Sequence, residues 1–136
     1  MNTGDHAIIS EVCYSATNLF FREYLPKKYN IEVTFVDTTD TEAVKNAMRP
    51  NTKLIHVETP GNPTTGISDI SAIAEIAHKG GSLLSVDATF AGPICLYPIK
   101  LGAEEAPWVC LTLCLGIALG WIMGWIAGPI TKMIDK

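Results

Sequence analysis

One acidic residue, Asp87, stands at the end of an apolar run in the second half of the chain. The residues before it, 82–86, have the composition of a short buried strand, and the pair Gly92-Pro93 soon afterwards predicts a loop. Ligands of open α/β sheets bind at the carboxyl ends of the strands, so Asp87 is a candidate ligand-binding carboxylate. The alternative is that Asp87 only caps the turn that follows its strand.

The segments that must position Asp87 alternate between strand-like and helix-like patterns. Short apolar or period-two runs predict strands over residues 6–10, 31–36, 53–58 and 82–86. Between them, helical spacing predicts helices over residues 18–25, 40–48 and from Ser68 or Asp69 to Gly80. Pro26 is expected to close the first of these helices, with Ser15 or Thr17 as its cap. This alternation predicts an α/β fold with a mainly parallel sheet and helices on its faces.

Composition narrows the class of protein. The chain has 136 residues, 48% of them hydrophobic, which is enough for one domain with a core. Ten basic against fourteen acidic residues give a net charge of -4, so nucleic-acid binding is not expected. The four cysteines show no disulfide framework, and no metal site is expected because no histidine or acid stands beside Cys110 and Cys114. A reducing compartment fits, and residues 1–5 show no signal peptide.

Five short motifs occur in the order found in one enzyme family. They are Gly4-Asp5-His6, Tyr14-Ser15-Ala16-Thr17-Asn18, Glu58-Thr59-Pro60-Gly61-Asn62-Pro63-Thr64, Val86-Asp87-Ala88-Thr89-Phe90 and Leu101-Gly102-Ala103. The chain thereby resembles the pyridoxal-phosphate (PLP) enzymes of cysteine and methionine metabolism: the cystathionine and methionine γ-lyases, cystathionine β-lyase and the γ-synthases. The resemblance implies that residues 1–103 are part of the PLP-binding large domain of the aspartate-aminotransferase-like fold, in a cytoplasmic enzyme that acts on a sulfur amino acid.

The resemblance also implies roles for individual residues. Asp87 matches the acid that pairs with the pyridine nitrogen of PLP, and Tyr14 matches the tyrosine whose ring stacks on the cofactor. Asn62 matches a residue near the 3-hydroxyl of the ring, and Thr89 matches another polar residue beside it. Each residue also has a structural interpretation: Tyr14 can cover a helix, and Asn62 and Thr89 can stabilise turns. His56 and His78 are interpreted as structural residues.

The chain departs from the family pattern after residue 103. The family continues into a serine-x-threonine-lysine run whose lysine bonds covalently to PLP, and by the family spacing Thr112 stands at the lysine position. Threonine cannot form that bond, so this chain is expected to be inactive. The phosphate-binding glycine loop that the family has upstream, and its C-terminal domain, are also not found in this sequence.

The second region, residues 104–136, has a different character. It contains an uncharged stretch of 23 residues that begins at Trp108 and ends at Ile130, long enough to cross a bilayer of about 30 Å as one apolar helix. Small residues recur on one face of that helix, at Gly116, Gly120, Gly124 and Gly128, as in helices that self-associate in membranes. The alternative is a segment from a shifted reading frame or another gene.

Two functions therefore stand as hypotheses. The first is part of a PLP-dependent carbon–sulfur lyase or transsulfuration enzyme in the cytoplasm. The second is a non-catalytic, single-pass membrane-anchored or helix-pairing protein in which the α/β region is a scaffold.

Overall fold

A four-stranded parallel sheet forms the centre of the computed structural model, which describes residues 1–104. In chain order the strands are β1 (His6–Ser10), β2 (Glu32–Val36), β3 (Thr52–Glu58) and β4 (Leu83–Asp87), and their spatial order is β2-β1-β3-β4. The helices are α1 (Ser15–Leu19), a π-helical segment (Phe20–Tyr24), α2 (Leu25–Tyr29), α3 (Thr41–Ala47), α4 (Ile70–Lys79) and α5 (Gly92–Cys95), followed by a 3-10 turn (Pro98–Leu101). The predicted α/β class and parallel sheet are confirmed.

The two faces of the sheet bury separate apolar clusters. In β1, Ile8 packs into one cluster while Ala7 and Ile9 pack into the other, because successive side chains of a strand point to opposite faces. All five residues of β1 are buried, as expected for a strand covered on both faces. The sheet is therefore the middle layer of three.

Helices α3 and α4 cover the first face. Asp40 caps α3 by accepting hydrogen bonds from the backbone of Glu42 and Ala43 at 3.0 and 3.3 Å, and Asp69 caps α4 through the backbone of Ala72 at 3.0 Å. The buried residues of α4 fall at helical spacing and pack against β3 and β4: they are Ile70, Ile73, Ala74 and Ala77. The predicted position of this helix, with Asp69 at its start, is confirmed.

Helix α1, the π-helical segment and α2 cover the second face as one continuous run. The expectation that Pro26 closes the helix is wrong, because Pro26 lies in the first turn of α2. The wider π-helical turns come directly before the proline, where its missing N–H and its ring would disrupt an α-helical ladder. The expected caps are also wrong: Tyr14 occupies the N-cap of α1, and no side chain caps it.

The carboxyl ends of β1, β2 and β3 border a cavity of about 260 Å³. The chain leaves β1 through helices on the second face, but it leaves β2 and β3 through helices on the first face. The crevice between β1 and β3 is therefore the topological switch point of the sheet, where ligands of open α/β folds bind. The cavity lining includes Ser10, Glu58, Gly61 and Ser68.

The described part of the chain ends beside β4. Gly92 and Pro93, which predicted a loop, instead start the short helix α5, consistent with the tolerance of proline in a first helical turn. After the 3-10 turn, the backbone N–H of Glu104 donates to the Leu84 carbonyl at 3.0 Å, and the Glu104 carboxylate accepts from the Leu84 N–H at 2.7 Å. Glu104 thus forms two hydrogen bonds with Leu84 of β4.

No helix within residues 1–104 is long and apolar enough to span a bilayer. The predicted apolar helix from Trp108 to Ile130, its four glycines and Thr112 lie outside the described residues, as does most of the predicted second region, 104–136.

Gly102 should be the glycine whose replacement costs most near the end of the described region. Its φ is +103°, and a Cβ there would lie 2.7 Å from the Cβ of the buried Ala74. We expect Gly102→Ala to lower the free energy of unfolding by about 2–4 kcal/mol, the sum of backbone strain and overpacking. Urea denaturation of the full chain measures it.

Gly81 provides the matched control, because its φ is also positive, at +70°, but a Cβ there meets no atom within 4 Å. Gly81→Ala should lower the free energy of unfolding only by the backbone strain of about 1–2 kcal/mol. Equal losses for the two variants would contradict the packing of Gly102 on Ala74.

Candidate functional site

Asp87 is the last residue of β4 and lies half-buried at the carboxyl edge of the sheet. Its Oδ1 accepts a hydrogen bond from the backbone N–H of Thr89 at 2.9 Å. This Asx-type contact orients the carboxylate and turns the chain away from the strand. The structure therefore shows that Asp87 organises the turn after its strand. Its part in ligand binding stays a prediction.

Glu58 ends β3 directly beside Asp87 in the parallel register. Its side chain is buried, with 9% of its surface exposed, and its Oε2 accepts a hydrogen bond from the Tyr14 N–H at 2.6 Å. A buried carboxylate needs such a partner, because burial without one is costly. Glu58 therefore fixes the loop between β1 and α1 against the end of β3.

Tyr14 follows that loop and begins α1. Its backbone is anchored by Glu58, but 64% of the residue's surface is exposed. An exposed aromatic ring on an anchored backbone is available for stacking with a planar ligand. Through Glu58, Tyr14 is connected to the end of β3, beside the end of β4 that carries Asp87.

Asn62 lies in the turn-rich segment after β3. The Thr59 N–H at the start of this segment donates to the Asp87 carbonyl at 3.0 Å, which extends the β3–β4 pairing by one residue. Gly61 approaches the Val12 side chain so closely that a Cβ would lie 3.3 Å from Val12 Cγ1. Asn62 itself is exposed. The segment is thus held against the loop that leads to Tyr14.

Four hydroxyl-bearing residues tie the strand ends together. Ser10 Oγ lies 3.0 Å from Thr38 Oγ1, and Thr38 Oγ1 lies 2.9 Å from Ser68 Oγ. The Ser68 N–H donates to Thr59 Oγ1 at 3.0 Å, and all four residues are buried. This network holds the segments after β1, β2 and β3 in fixed relative positions, which a preorganised site requires.

Two further titratable groups lie on the same face of the sheet. Burial lowers the pKa of His56 below its usual 6.5, although the negative charge of Asp87 opposes that shift. Burial also raises the pKa of the Cys13 thiol, so this cysteine stays protonated at neutral pH and is a poor nucleophile. Neither group is a candidate for covalent catalysis.

The sequence-predicted residues therefore fall into two groups. Tyr14 donates its backbone N–H to Glu58, and Asp87 is the register partner of Glu58, so both lie at one edge of the sheet; Asn62 and Thr89 lie on exposed turns that start from this edge. A carboxylate at a strand end and an exposed aromatic residue at the same edge of the sheet suit a planar heteroaromatic ring that carries an N–H. The donor set therefore fits a pyridine ring.

Comparisons with known proteins identify the family of this chain. The family described as Cys/Met metabolism PLP-dependent enzyme matches residues 1–105. The chain belongs to this family. Its members depend on PLP, as the sequence resemblance implied.

Relatives with known names are similar over the same region. The chain is 50% identical over 104 residues to a canavanine γ-lyase of Rhizobium leguminosarum bv. trifolii, and 45% identical over 103 residues to a cystathionine γ-lyase of Bacillus subtilis. These matches cover 76% of this chain, but only 26% and 27% of the two relatives. The chain thus spans about a quarter of the length of the relatives that it matches.

A solved structure confirms the fold. The cystathionine γ-lyase of Lactobacillus plantarum, complexed with L-serine, superimposes with a TM-score of 0.72 at 39% sequence identity. The superposition covers 76% of this chain and 27% of that protein. The expectation that this region has the fold of the PLP-binding large domain is confirmed.

Sequence reasoning missed the part that Glu58 plays. Glu58 follows an apolar strand just as Asp87 does, so the same signal that singled out Asp87 was present. The sequence pattern does not reveal that Glu58 binds the Tyr14 N–H, because the two residues are 44 positions apart.

Removal of the Glu58 carboxylate should loosen the Tyr14 segment. We expect Glu58→Ala to speed hydrogen exchange at the Tyr14 amide by about tenfold or more, because hydrogen bonds to charged groups contribute about 1.5–3 kcal/mol. Glu58→Gln keeps an acceptor oxygen and should have a smaller effect. NMR-detected exchange measures both.

Glu11→Ala is the control, since Glu11 is an exposed carboxylate on the same connection. It should leave the Tyr14 amide unchanged. Equal exchange in Glu58→Ala and the unmodified chain would show that the contact does not order this segment.

Proposed function

We propose that residues 1–104 form the part of a PLP-dependent lyase that holds the pyridine ring of the cofactor. In this proposal the Asp87 carboxylate accepts a hydrogen bond from the ring N–H, and the Tyr14 ring stacks on the cofactor. Asn62 and Thr89 supply polar contacts beside the ring, Asn62 near the 3-hydroxyl. The single observation that carries the proposal is the pairing of Glu58 and Asp87 at neighbouring strand ends, with Glu58 bound to the backbone of Tyr14.

Bound PLP supplies an electron-withdrawing ring that accepts the electron pair from a carbanion at the substrate carbon. The residues of this chain would keep that ring protonated and oriented. Asp87 favours the protonated nitrogen because its negative charge lies beside it. Tyr14 limits rotation of the ring because its own backbone is anchored through Glu58.

The substrate of the whole enzyme is proposed from the relatives. The names of the similar proteins include canavanine γ-lyase, cystathionine γ-lyase and L-methionine γ-lyase. We propose a sulfur amino acid such as cystathionine or methionine, with canavanine as an alternative, and a cytoplasmic location. Because Thr112 stands where the family has its PLP-bonding lysine, we also propose that this chain by itself does not catalyse the reaction.

Binding of pyridoxamine 5′-phosphate tests the ring-binding proposal. This compound carries the cofactor ring but no aldehyde, so it does not react with surface lysines. We expect Asp87→Asn to weaken its binding by about tenfold or more, since a charge-assisted hydrogen bond becomes a neutral one. Isothermal titration calorimetry of the full chain measures the affinity.

Asp69→Asn is the matched control because Asp69 is an exposed carboxylate that caps α4 on the other face, and asparagine caps equally well. The Asp69→Asn variant should bind pyridoxamine 5′-phosphate with the affinity of the unmodified chain. Equal weakening in both variants, or none in either, would contradict the role of Asp87.

The proposed inactivity has its own measurement. The chain is mixed with PLP, reduced with borohydride and mapped by mass spectrometry, and ammonia release from cystathionine, methionine and canavanine is assayed in parallel. We expect no stoichiometric adduct on a single lysine and no ammonia. A single modified lysine together with turnover would refute the proposal.

A second function is favoured by one feature of the sequence, the uncharged stretch from Trp108 to Ile130 with glycine at every fourth position from Gly116 to Gly128. We propose as this alternative a membrane-anchored protein that self-associates through the glycines. Gly120→Ile should then reduce self-association in a membrane reporter assay without reducing insertion. Release of the chain from membranes by alkaline carbonate would refute this alternative.

A further inference from the structure

Two histidines lie within the strands of this sheet, and their hydrogen bonding differs. In His6, Nδ1 lies 2.8 Å from Thr52 Oγ1 and Nε2 lies 2.8 Å from Thr34 Oγ1, so both ring nitrogens have partners. In His56, Nδ1 lies 3.2 Å from Ser85 Oγ, but the buried Nε2 has no partner among the described residues. Buried polar atoms are nearly always paired, so this nitrogen needs an explanation. It lies on the sheet face that carries the proposed ring site.

Strand register places His56 next to Asp87. His56 pairs with Ser85, and Glu58 pairs with Asp87, so the four side chains form two adjacent rows on one face. The His56 ring stacks on Phe21, with ring centroids 5.7 Å apart and an angle of 22° between the planes. The stack and the Ser85 contact together fix the orientation of the imidazole. The orientation of His56 is thus fixed. It lies in the row before Asp87, whose carboxylate would accept the hydrogen bond from the pyridine N–H.

The charges around His56 are few. Asp87 of β4 and Glu58 of β3 are the carboxylates at this end of the face, and Cys13 packs against the same apolar cluster. The π-helical segment contributes the neutral Phe21 ring, while the guanidinium of Arg22 lies over Phe35, 4.2 Å from the ring centroid. Glu58 accepts a hydrogen bond from the Tyr14 N–H. In Asp87, Oδ1 accepts from the Thr89 N–H, whereas Oδ2 has no partner among the described residues.

We propose that His56 is a positioning residue for Asp87. When a protonated pyridine ring occupies the site, the neutral imidazole donates its Nε2–H to the Asp87 carboxylate, directly or through one water, and Nδ1 accepts from the Ser85 hydroxyl. The carboxylate then remains charged and faces the ring. The inference rests on the proposed function, because the ring site is the reason for orienting Asp87.

The first measurement needs no ligand. The chain has three histidines, so ring ¹⁵N NMR of the full chain resolves His56 beside His6 as a fully bonded control. Removal of the Asp87 charge by Asp87→Asn should lower the titration midpoint of His56, because the carboxylate favours the protonated imidazole. Asp69→Asn should leave it unchanged. An unchanged His56 midpoint in Asp87→Asn would overturn the inference.

The second measurement uses pyridoxamine 5′-phosphate. Saturation should shift the Nε2 resonance of His56 and leave that of His6 in place. His56→Phe keeps an aromatic ring to stack on Phe21 but removes both nitrogens, and it should weaken binding at pH 8 by about threefold to tenfold, the value of one hydrogen bond. His56→Gln restores a donor and should recover part of the loss. His78→Gln, at an exposed histidine, should change nothing.

The pH profile separates positioning from packing. As the pH falls through the His56 midpoint, below 6.5, the imidazolium competes with the pyridinium for Asp87, so affinity should fall. His56→Phe should lack this step, while the phosphate of the ligand titrates in both proteins and cancels in the comparison.

The outcomes distinguish the proposed cofactor site from the proposed role of His56. If the unmodified chain does not bind the compound, the proposed cofactor site is refuted and the inference falls with it. If the unmodified chain binds, and His56→Phe binds equally tightly with the same pH profile, the inference alone is overturned.

Discussion

The parallel pairing of β3 with β4 is the constraint on which the candidate site depends. It places two carboxylates, Glu58 and Asp87, at neighbouring positions, where the strands are about 4.8 Å apart. Like charges at that separation repel, and Glu58 is also buried. The sheet tolerates the pair because each carboxylate accepts a hydrogen bond from a backbone N–H: Glu58 from Tyr14 and Asp87 from Thr89. The electrostatic cost of the pair is thus offset by contacts that also position the site.

The two faces of β3 and β4 differ in polarity. The inward residues of the first face are uniformly apolar and buried against α4: they are Ile55, Val57, Leu84 and Val86. The second face carries polar residues at the alternating positions: they are His56, Glu58, Ser85 and Asp87. Because a strand of period two keeps the two sets apart, the polar row does not interrupt the main core. The face covered by the helical run that contains Pro26 therefore carries the titratable side chains of β3 and β4.

Sequence patterns were sufficient for the order of the elements but not for their contacts. Strand β1 was predicted at its observed bounds, and the start of α4 at Asp69 was found, because both depend on local periodicity and capping. The helical run through Pro26 was not predicted, since packing of Phe21 and Leu25 against the sheet outweighs the local effect of proline. Asp87 was recognised from its place after an apolar strand.

Residues whose role depends on a distant partner could not be recognised in this way. The anchoring of Tyr14 by Glu58 joins positions 44 apart. His56 Nε2 has no partner within residues 1–104, and this follows from the docking of a helix over its strand. His56 by itself has the pattern of any histidine within an apolar strand, as does His6, which is fully bonded. The difference between them arises only in the folded chain.

Among the described residues, several contacts hold the segments that carry Tyr14, Asn62 and Asp87. Tyr14 is held through Glu58, Asp87 is oriented by Thr89, and the segment that carries Asn62 is fixed by Thr59 and Gly61. Thr112, which stands at the expected lysine position, lies outside the described residues. In the proposed function, the groups that orient the pyridine ring and the expected lysine position therefore belong to different segments of the sequence.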